Sequence, residues 1–357
     1  MRIALISSWL SDVIGGTGTA VFLHTFVDGL RGLGHDVEVI SPTLTATDYV
    51  TITLERLLFN SELNSDPRIQ AADVIIGFDY DGFALDPKTS PPLITSVHAI
   101  FGDVAQWETG EIKTMVESQA FFDRATMHKS QRVTVGSTYG RSRLVALYDL
   151  DPAKIDVIYH GRQTPSWLNY VDSELRLPNA RPTVLAVGAM YPRKRLDLLL
   201  NAVSMLRREF PDIDVRIVGN GIMWDALHEL ANDLGINTNV TWLSHIPDDN
   251  AFAREWRQAD VFCHPSQQET FGFVYVEAMM LGKPIVAANA SAAPEVIQDA
   301  GLLVEPDSPD AYAAAITRFL TEPALCAEKA ALGRQRAAYF TVERMMAGYQ
   351  TVIEGVL

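Results

Sequence analysis

At 357 residues, 48% hydrophobic and 20% charged, the chain suits two domains of ordinary size and excludes large-scale disorder. Twenty-nine basic against 44 acidic side chains leave a formal charge of −15, which argues against a phosphate-backbone binder and hence against nucleic acid as a partner. Its two cysteines, Cys263 and Cys326, lie in apolar or helical contexts that suit a reducing compartment, so the cytoplasm is the expected location.

The opening MRIALISSWLSD has an apolar run that is short and soon interrupted, and reads as a first strand rather than a signal peptide. No apolar stretch approaches the ~20 residues that span a bilayer, which leaves peripheral contact as the form of membrane association open to the chain. RIALIS (2–7), a helix from about Thr17 to Leu33 and DVEVIS (36–41) make a βαβ opening. ADVIIGF (72–78), PLITSVH (92–98), a helix from about Val104 to Lys129, RVTVGS (132–137) and KIDVIYH (154–160) continue it; such apolar runs belong to parallel strands buried on both faces.

From Thr164 to Pro182 the pattern lapses into TPSWLNYVDSELRLPNARP, the predicted linker. The alternation restarts with TVLAVGA (183–189), a helix from about Leu196 to Arg208, DVRIVGN (214–220), a helix near 223–234, NVTWLS (239–244), ADVFCHP (259–265), PIVAANA (284–290) and GLLVEP (301–306). Leu196, Leu199, Leu200, Val203 and Leu206 fall at helical spacing. The predicted fold class is α/β, with two doubly wound Rossmann-like domains over 1–163 and 183–339, a linker over 164–182 and a terminal helix over 340–357. Ligands of such sheets bind outside the carboxyl ends of the strands, so two domains face to face predict a cleft.

The segment richest in chemistry is ETFGFVYVEAMMLGKPIV (269–286). Gly272 permits close approach of the backbone to a ligand, and the amides from Phe271 through Phe273 to Val274 open a helix whose N-terminus suits phosphate. Glu277, about one turn into that helix, has two oxygens for the hydroxyls of a ribose diol, and Glu269 is placed to accept from sugar hydroxyls. Two glutamates with this spacing around an aromatic-glycine-aromatic turn resemble the signature of glycosyltransferase family 4, whose fold is GT-B, two facing Rossmann-like domains with a cleft between them.

The resemblance covers most of the chain and is strongest from Thr183 onward. VGAMYPRKRLDLLLNAVSML is similar to the family segment that carries a basic pair toward the donor diphosphate, with Lys194 at the family lysine. Ala189 stands where the family usually has arginine. Either Arg193 or Arg195 then supplies the second charge, or the diphosphate is held more weakly; a merely solvated basic loop is the competing account. IVGNGIMWDALHELA (217–231), with Gly219, resembles the strand-loop-helix beside the nucleotide, and LSHIPDDN (243–250) resembles the base-edge loop, implying backbone contacts around His245 and Ile246. Gly15 and Gly16 in GGTGTA match the family's glycine loop under the donor phosphate better than a dinucleotide fingerprint, which lacks its third glycine here. His98 resembles the family histidine that lines the donor sugar, although Ala99 follows where aspartate is frequent. Ser137 and Arg141, at a further strand end, face the acceptor or serve as cap and packing.

DYD (79–81) and DID (212–214) satisfy a three-residue metal-diphosphate pattern that arises cheaply by chance, and no His/Cys cluster points to a metal, so no metal and no cofactor are expected. The resemblance implies transfer of a hexosyl group, with retention, from a nucleotide diphosphate sugar to an acceptor hydroxyl. A sugar-nucleotide epimerase or phosphorylase of the same fold is one alternative, and a non-catalytic sugar-nucleotide-binding subunit another. Arg124, His128, Lys129, Arg132, Arg141 and Arg143 make the first half locally basic, either as solvated helix surface or as a face for anionic lipid or a phosphorylated acceptor.

Overall fold

Strand β1 (Arg2–Ile6) buries four consecutive residues, Ile3 to Ile6, and a strand apolar at successive positions must be covered on both faces. It is followed by α1 (Gly18–Gly32), β2 (Asp36–Ile40), α2 (Tyr49–Glu62), α3 (Pro67–Gln70), β3 (Val74–Phe78), β4 (Leu93–Val97), α4 (Phe101–Val104), α5 (Gly110–Lys129), β5 (Arg132–Val135), α6 (Thr138–Tyr148) and β6 (Ile155–Val157). These strands form one parallel sheet of order β2-β1-β3-β4-β5-β6, in register so that Ile3 lies opposite Val37 and Val74.

A second alternation follows: β7 (Thr183–Val187), α7 (Leu196–Leu206), β8 (Asp214–Val218), α8 (Trp224–Asp233), β9 (Val240–Leu243), α9 (Asp249–Gln258), β10 (Val261–His264), α10 (Phe273–Met280), β11 (Ile285–Ala288), α11 (Ala293–Ile297), β12 (Gly301–Val304), α12 (Pro309–Thr321) and α13 (Pro323–Ala337). Its sheet, also parallel, runs β12-β11-β10-β7-β8-β9. The five apolar residues of α7 named above are all buried, in a core shared with Val184, Val215 and Ile316. Helix α14 (Val342–Glu354) ends the chain.

The computed structural model describes residues 1–9, 18–46, 48–170 and 181–357. They divide into two units, Met1–Gln163 with Thr341–Leu357 and Thr164–Phe340, each a doubly wound Rossmann-like sheet flanked by helices. Helix α14 packs in the first unit. Tyr349 lies 4.4 Å, centroid to centroid, from Phe26 of α1, and Gln350 hydrogen-bonds His35 at 2.7 Å.

Two sequence expectations change in detail. The single helix expected from about Val104 to Lys129 is broken: α4 ends at Val104, a 3₁₀ turn covers Ala105–Trp107, and α5 begins at Gly110, whose φ of +59° is unsuited to a continuing helix. Within 164–182, Trp167 stacks on Trp256 at 5.8 Å in the second unit, while residues 171–180 lie outside the described residues.

Candidate active site

In an open parallel sheet the crevice for ligands forms where the strand order reverses. In the second unit that point lies between β7 and β10, since the chain moves outward from β7 to β8 and from β10 to β11. The loop leaving β7 carries Lys194 and the loop leaving β10 carries Glu269. The two side chains form an ion pair through Oε1 of Glu269, at 14% and 13% exposure. His264, the last residue of β10, is 3% exposed, and its Nε2 lies 2.8 Å from the same oxygen.

Burial holds His264 below its ordinary value, so the neutral ring donates Nε2–H to the carboxylate. Burial works to raise the Glu269 carboxyl too, but Lys194 and then His264 outweigh it and hold it well below the usual carboxylate range. Gln267 N–H donates to the Arg193 carbonyl at 3.0 Å, which fastens the two loops together. Gly188, Ala189, Lys194 and His264 line one small depression at the ends of β7 and β10.

Glycine is required at two points here. Gly219, after β8, has φ +138° and approaches the Gly188 carbonyl too closely to carry a side chain. Gly272 has φ +87°, and a Cβ there would lie 2.5 Å from the Tyr275 ring. Beyond it α10 buries Tyr275, Val276, Ala278 and Met279, and leaves Phe273, Val274 and Glu277 half-buried on the other face, the helical spacing of one stripe. Phe271, just before the turn, is buried.

The two arginines beside Lys194 part company. Arg195, at φ +50°, is tied to Asp197 at 3.1 Å and Asp307 at 2.5 Å. Arg193 is half-buried with its guanidinium 4.6 Å from the centroid of the Tyr191 ring. Ala189 and His245 are exposed, and Ile246 is half-buried in the loop after β9.

In the first unit the order reverses between β1 and β3. Gly15 and Gly16, which come between β1 and α1 in the sequence, lie outside the described residues. DYD, after β3, is a buried clamp on the neighbouring loops. Asp81 accepts from Ser8 N (2.7 Å), Ser8 Oγ (2.5 Å) and Asn60 Nδ2 (2.9 Å). Arg56, 1% exposed, donates Nε–H to Ser8 Oγ and lies 4.3 Å from the Trp9 ring and 4.5 Å from the Tyr80 ring. Asp79 accepts from the amides of His98 (2.7 Å) and Ala99 (3.0 Å), and so holds the end of β4. His98 is half-buried among Phe22, Phe78 and His160, and burial, then His160, keeps it well below its ordinary value.

Ser137 is the N-cap of α6, accepting from Gly140 N, and Arg141 donates to the Pro152 carbonyl. Among the basic residues nearby, Arg132 pairs with Asp156, Arg143 with Asp103, and Lys129 donates to the carbonyls of Phe83 and Leu85. Asp214 of DID accepts from Arg181, Arg216 and Thr241. Among the described residues no cluster of three or more His, Cys, Asp or Glu side chains is arranged to hold a metal, and no helix is long and apolar enough to cross a membrane. Sequence reading did not single out His264 or the clamp role of Asp79. The available signal was position alone, at the ends of strands that flank the reversals.

Residues 16–164 match the family model Glycosyltransferase Family 4, and residues 171–336 match Glycosyl transferases group 1. The chain belongs to glycosyltransferase family 4. Among relatives of this family 4 chain, D-inositol 3-phosphate glycosyltransferase of Mycolicibacterium gilvum is 33% identical over 76% of the chain and 63% of that relative. The GDP-mannose-dependent alpha-(1-6)-phosphatidylinositol monomannoside mannosyltransferase of Mycolicibacterium smegmatis is 32% identical over 57% of each. The match thus spans less than two thirds of either relative's length. Sucrose-phosphate synthase from Thermosynechococcus elongatus superposes with a TM-score of 0.84 at 21% identity, covering 99% of this chain and 98% of that one, a likeness of fold.

Proposed function

We propose that this family 4 chain transfers a hexosyl group from a nucleotide diphosphate sugar to an acceptor hydroxyl, with retention at the anomeric carbon. The observation that carries the proposal is the meeting of Lys194, Glu269 and His264 at the ends of the two strands that flank the reversal of the second sheet, two of them on the loops that leave those strands. Glu277 takes the ribose diol, the first amides of α10 take phosphate, and Glu269 takes sugar hydroxyls. Gly219, His245 and Ile246 line the nucleotide, and Gly15 and Gly16 the donor phosphate. His98 meets the donor sugar, with Ser137 and Arg141 on the acceptor side.

As the bond from the anomeric carbon to the diphosphate breaks, its electron pair passes to the leaving oxygen. Lys194 stabilises the charge that develops there. Of the two arginines we assign Arg193 as its helper, because its charge is close enough to act on the Lys194 ammonium, whereas Arg195 is paired with Asp197 and Asp307. The acceptor hydroxyl attacks from the face the diphosphate leaves, and its proton goes to the departing phosphate. No enzyme nucleophile and no metal are needed. Given what the relatives act on, inositol phosphates and phosphatidylinositol mannosides head the acceptor panel.

The test begins with melting temperature against UDP-, GDP- and ADP-sugars, since a donor that binds the folded state raises it by mass action. The stabilising donor is then offered to the acceptor panel and products are analysed. Lys194→Ala is expected to lower kcat by about 10²–10³, and a chelator is expected to leave the rate unchanged. Near-normal transfer by Lys194→Ala at saturating donor would refute the role given to Lys194. Stabilisation without turnover on any acceptor would favour the non-catalytic alternative.

A further inference from the structure

Three hydroxyls stand behind His98, and their proton count sets the direction of the hydrogen bonds between them. Ser96 Oγ lies 3.1 Å from Nε2 of His98 and 2.7 Å from the Tyr349 hydroxyl. Thr134 Oγ1 donates to that same hydroxyl at 3.1 Å. Ser96 and Thr134 are fully buried and Tyr349 is 1% exposed. Each hydroxyl has one proton to give. Because Thr134 spends its proton on the Tyr349 oxygen, the Tyr349 proton has one acceptor among the described residues, Ser96. Were Ser96 to donate to Tyr349 instead, a buried phenol proton would go unsatisfied, at the full desolvation penalty of that group. The Ser96 proton therefore points to Nε2 of His98.

A neutral imidazole that accepts at Nε2 carries its proton on Nδ1. Both ends of the relay are in the protonation state this requires. Burial keeps the Tyr349 phenol above its ordinary value, and burial, then His160, keeps the His98 ring below its own. Among the described residues Nδ1 of His98 makes no hydrogen bond, so its N–H is available.

We propose that Tyr349, brought from the terminal helix α14, acts through Ser96 as a positioning residue that fixes His98 in the Nδ1–H tautomer. A free histidine side chain in water favours the other tautomer. The end of β4 thus presents a hydrogen-bond donor, and selects a ligand that offers an acceptor oxygen, such as a sugar hydroxyl. This deepens the proposed function, and rests on it only for the consequence in catalysis.

The test is a long-range proton–nitrogen correlation spectrum of the whole chain labelled with ¹⁵N-histidine, with His98→Gln used to assign the ring. In the wild-type protein Nδ1 is expected at a pyrrole-type shift and Nε2 at a pyridine-type shift. Tyr349→Phe, which keeps the ring and its packing, and Ser96→Ala should move both nitrogens toward averaged values or exchange them. Tyr349→Phe should also lower kcat/KM for transfer about tenfold, the loss of roughly one hydrogen bond. An Nε2–H tautomer in the wild type would overturn the proposal, as would a spectrum unchanged in both variants. A merely structural Tyr349 would move the melting temperature and leave the tautomer alone. If no donor or acceptor supports turnover, the proposed function fails while the tautomer assignment is still decided by the spectrum.

Discussion

Asp79 combines a backbone φ of +53°, which aspartate tolerates better than most residues, with a carboxylate that holds two successive amides after β4. Burial pushes its carboxyl up to about 7, against the pull of the Ala99 and His98 amides and of Arg56 and with a push from Asp81. The nearby Asp123 carboxyl is raised by burial as well and by Asp79, so protons bind to the pair rather than to one site. In the unfolded chain an aspartate titrates near ~3.9. Between about pH 4 and pH 7 the folded protein therefore keeps a proton that the unfolded chain has released. The stability this contributes is full below about pH 4 and is lost by about pH 7. Asp79→Asn keeps an acceptor oxygen and tolerates the same backbone, yet cannot titrate. The melting temperature of Asp79→Asn minus that of the wild type should accordingly rise from about pH 5 to about pH 8; a difference that stays level would show that Asp79 is ionised throughout. Glu269 has the opposite sign. Its depressed carboxyl stabilises the fold above its ordinary value near ~4.3 and loses that contribution as pH falls further.

Among the elements, the join between the end of β6 and the start of α14 is tightly packed. A Cβ on Gly161 would lie 2.5 Å from the Thr341 carbonyl oxygen and 2.6 Å from the Val342 Cα, backbone atoms that cannot swing aside. Gly161→Ala should therefore cost about 1–3 kcal/mol, as overpacking does, and speed amide exchange along α14 before it does so elsewhere. Wild-type melting and exchange in that variant would show that the helix shifts freely. The strands of both sheets were legible in the sequence because fully buried parallel strands are continuous apolar runs, as VIIGF of β3 shows with every residue buried. Helix α2 was not legible. It turns Thr53, Arg56 and Asn60 inward and exposes Leu54 at 55% and Leu58 at 64%, the reverse of the amphipathic rule. Arg56 and Asn60 of its inward face serve the Asp81 clamp, while Tyr49, Leu57 and Phe59 pack beside the neighbouring apolar clusters. The same contrast holds at the site. Glu269 and Glu277 stood out by residue type and spacing, and Lys194 by resemblance to a family segment, whereas Tyr349 reaches Ser96 from 253 residues away, a partnership that only the fold reveals.

At the scale of the whole molecule, the chain passes between its two units twice, after Gln163 and after Phe340, and the candidate contacts divide unequally between them. Lys194, Gly219, Glu269, the start of α10 and Glu277 all belong to the second unit, while His98 and the relay behind it belong to the first. If the proposed roles hold, a nucleoside diphosphate without its sugar meets Lys194, Gly219, the start of α10 and Glu277 in the second unit, and Gly15 and Gly16 in the first, but neither Glu269 nor His98. Bound at about 100 times its dissociation constant it would stabilise the folded state by about 2.7 kcal/mol, and the gain should be localised. Amide exchange with UDP or GDP should slow across 188–195, 219–223 and 265–277, the loops that leave β7, β8 and β10 and the start of α10. Segments 93–99 and 345–353 should exchange as in the free protein until the complete sugar nucleotide is supplied, because the role proposed for His98 is contact with the sugar. Protection by the bare nucleotide confined to the first unit would place the donor in the wrong half of the chain and overturn the assignments to Lys194 and Glu277 together. Protection of 93–99 and 345–353 by the nucleotide alone would separate His98 from the sugar while leaving those assignments intact.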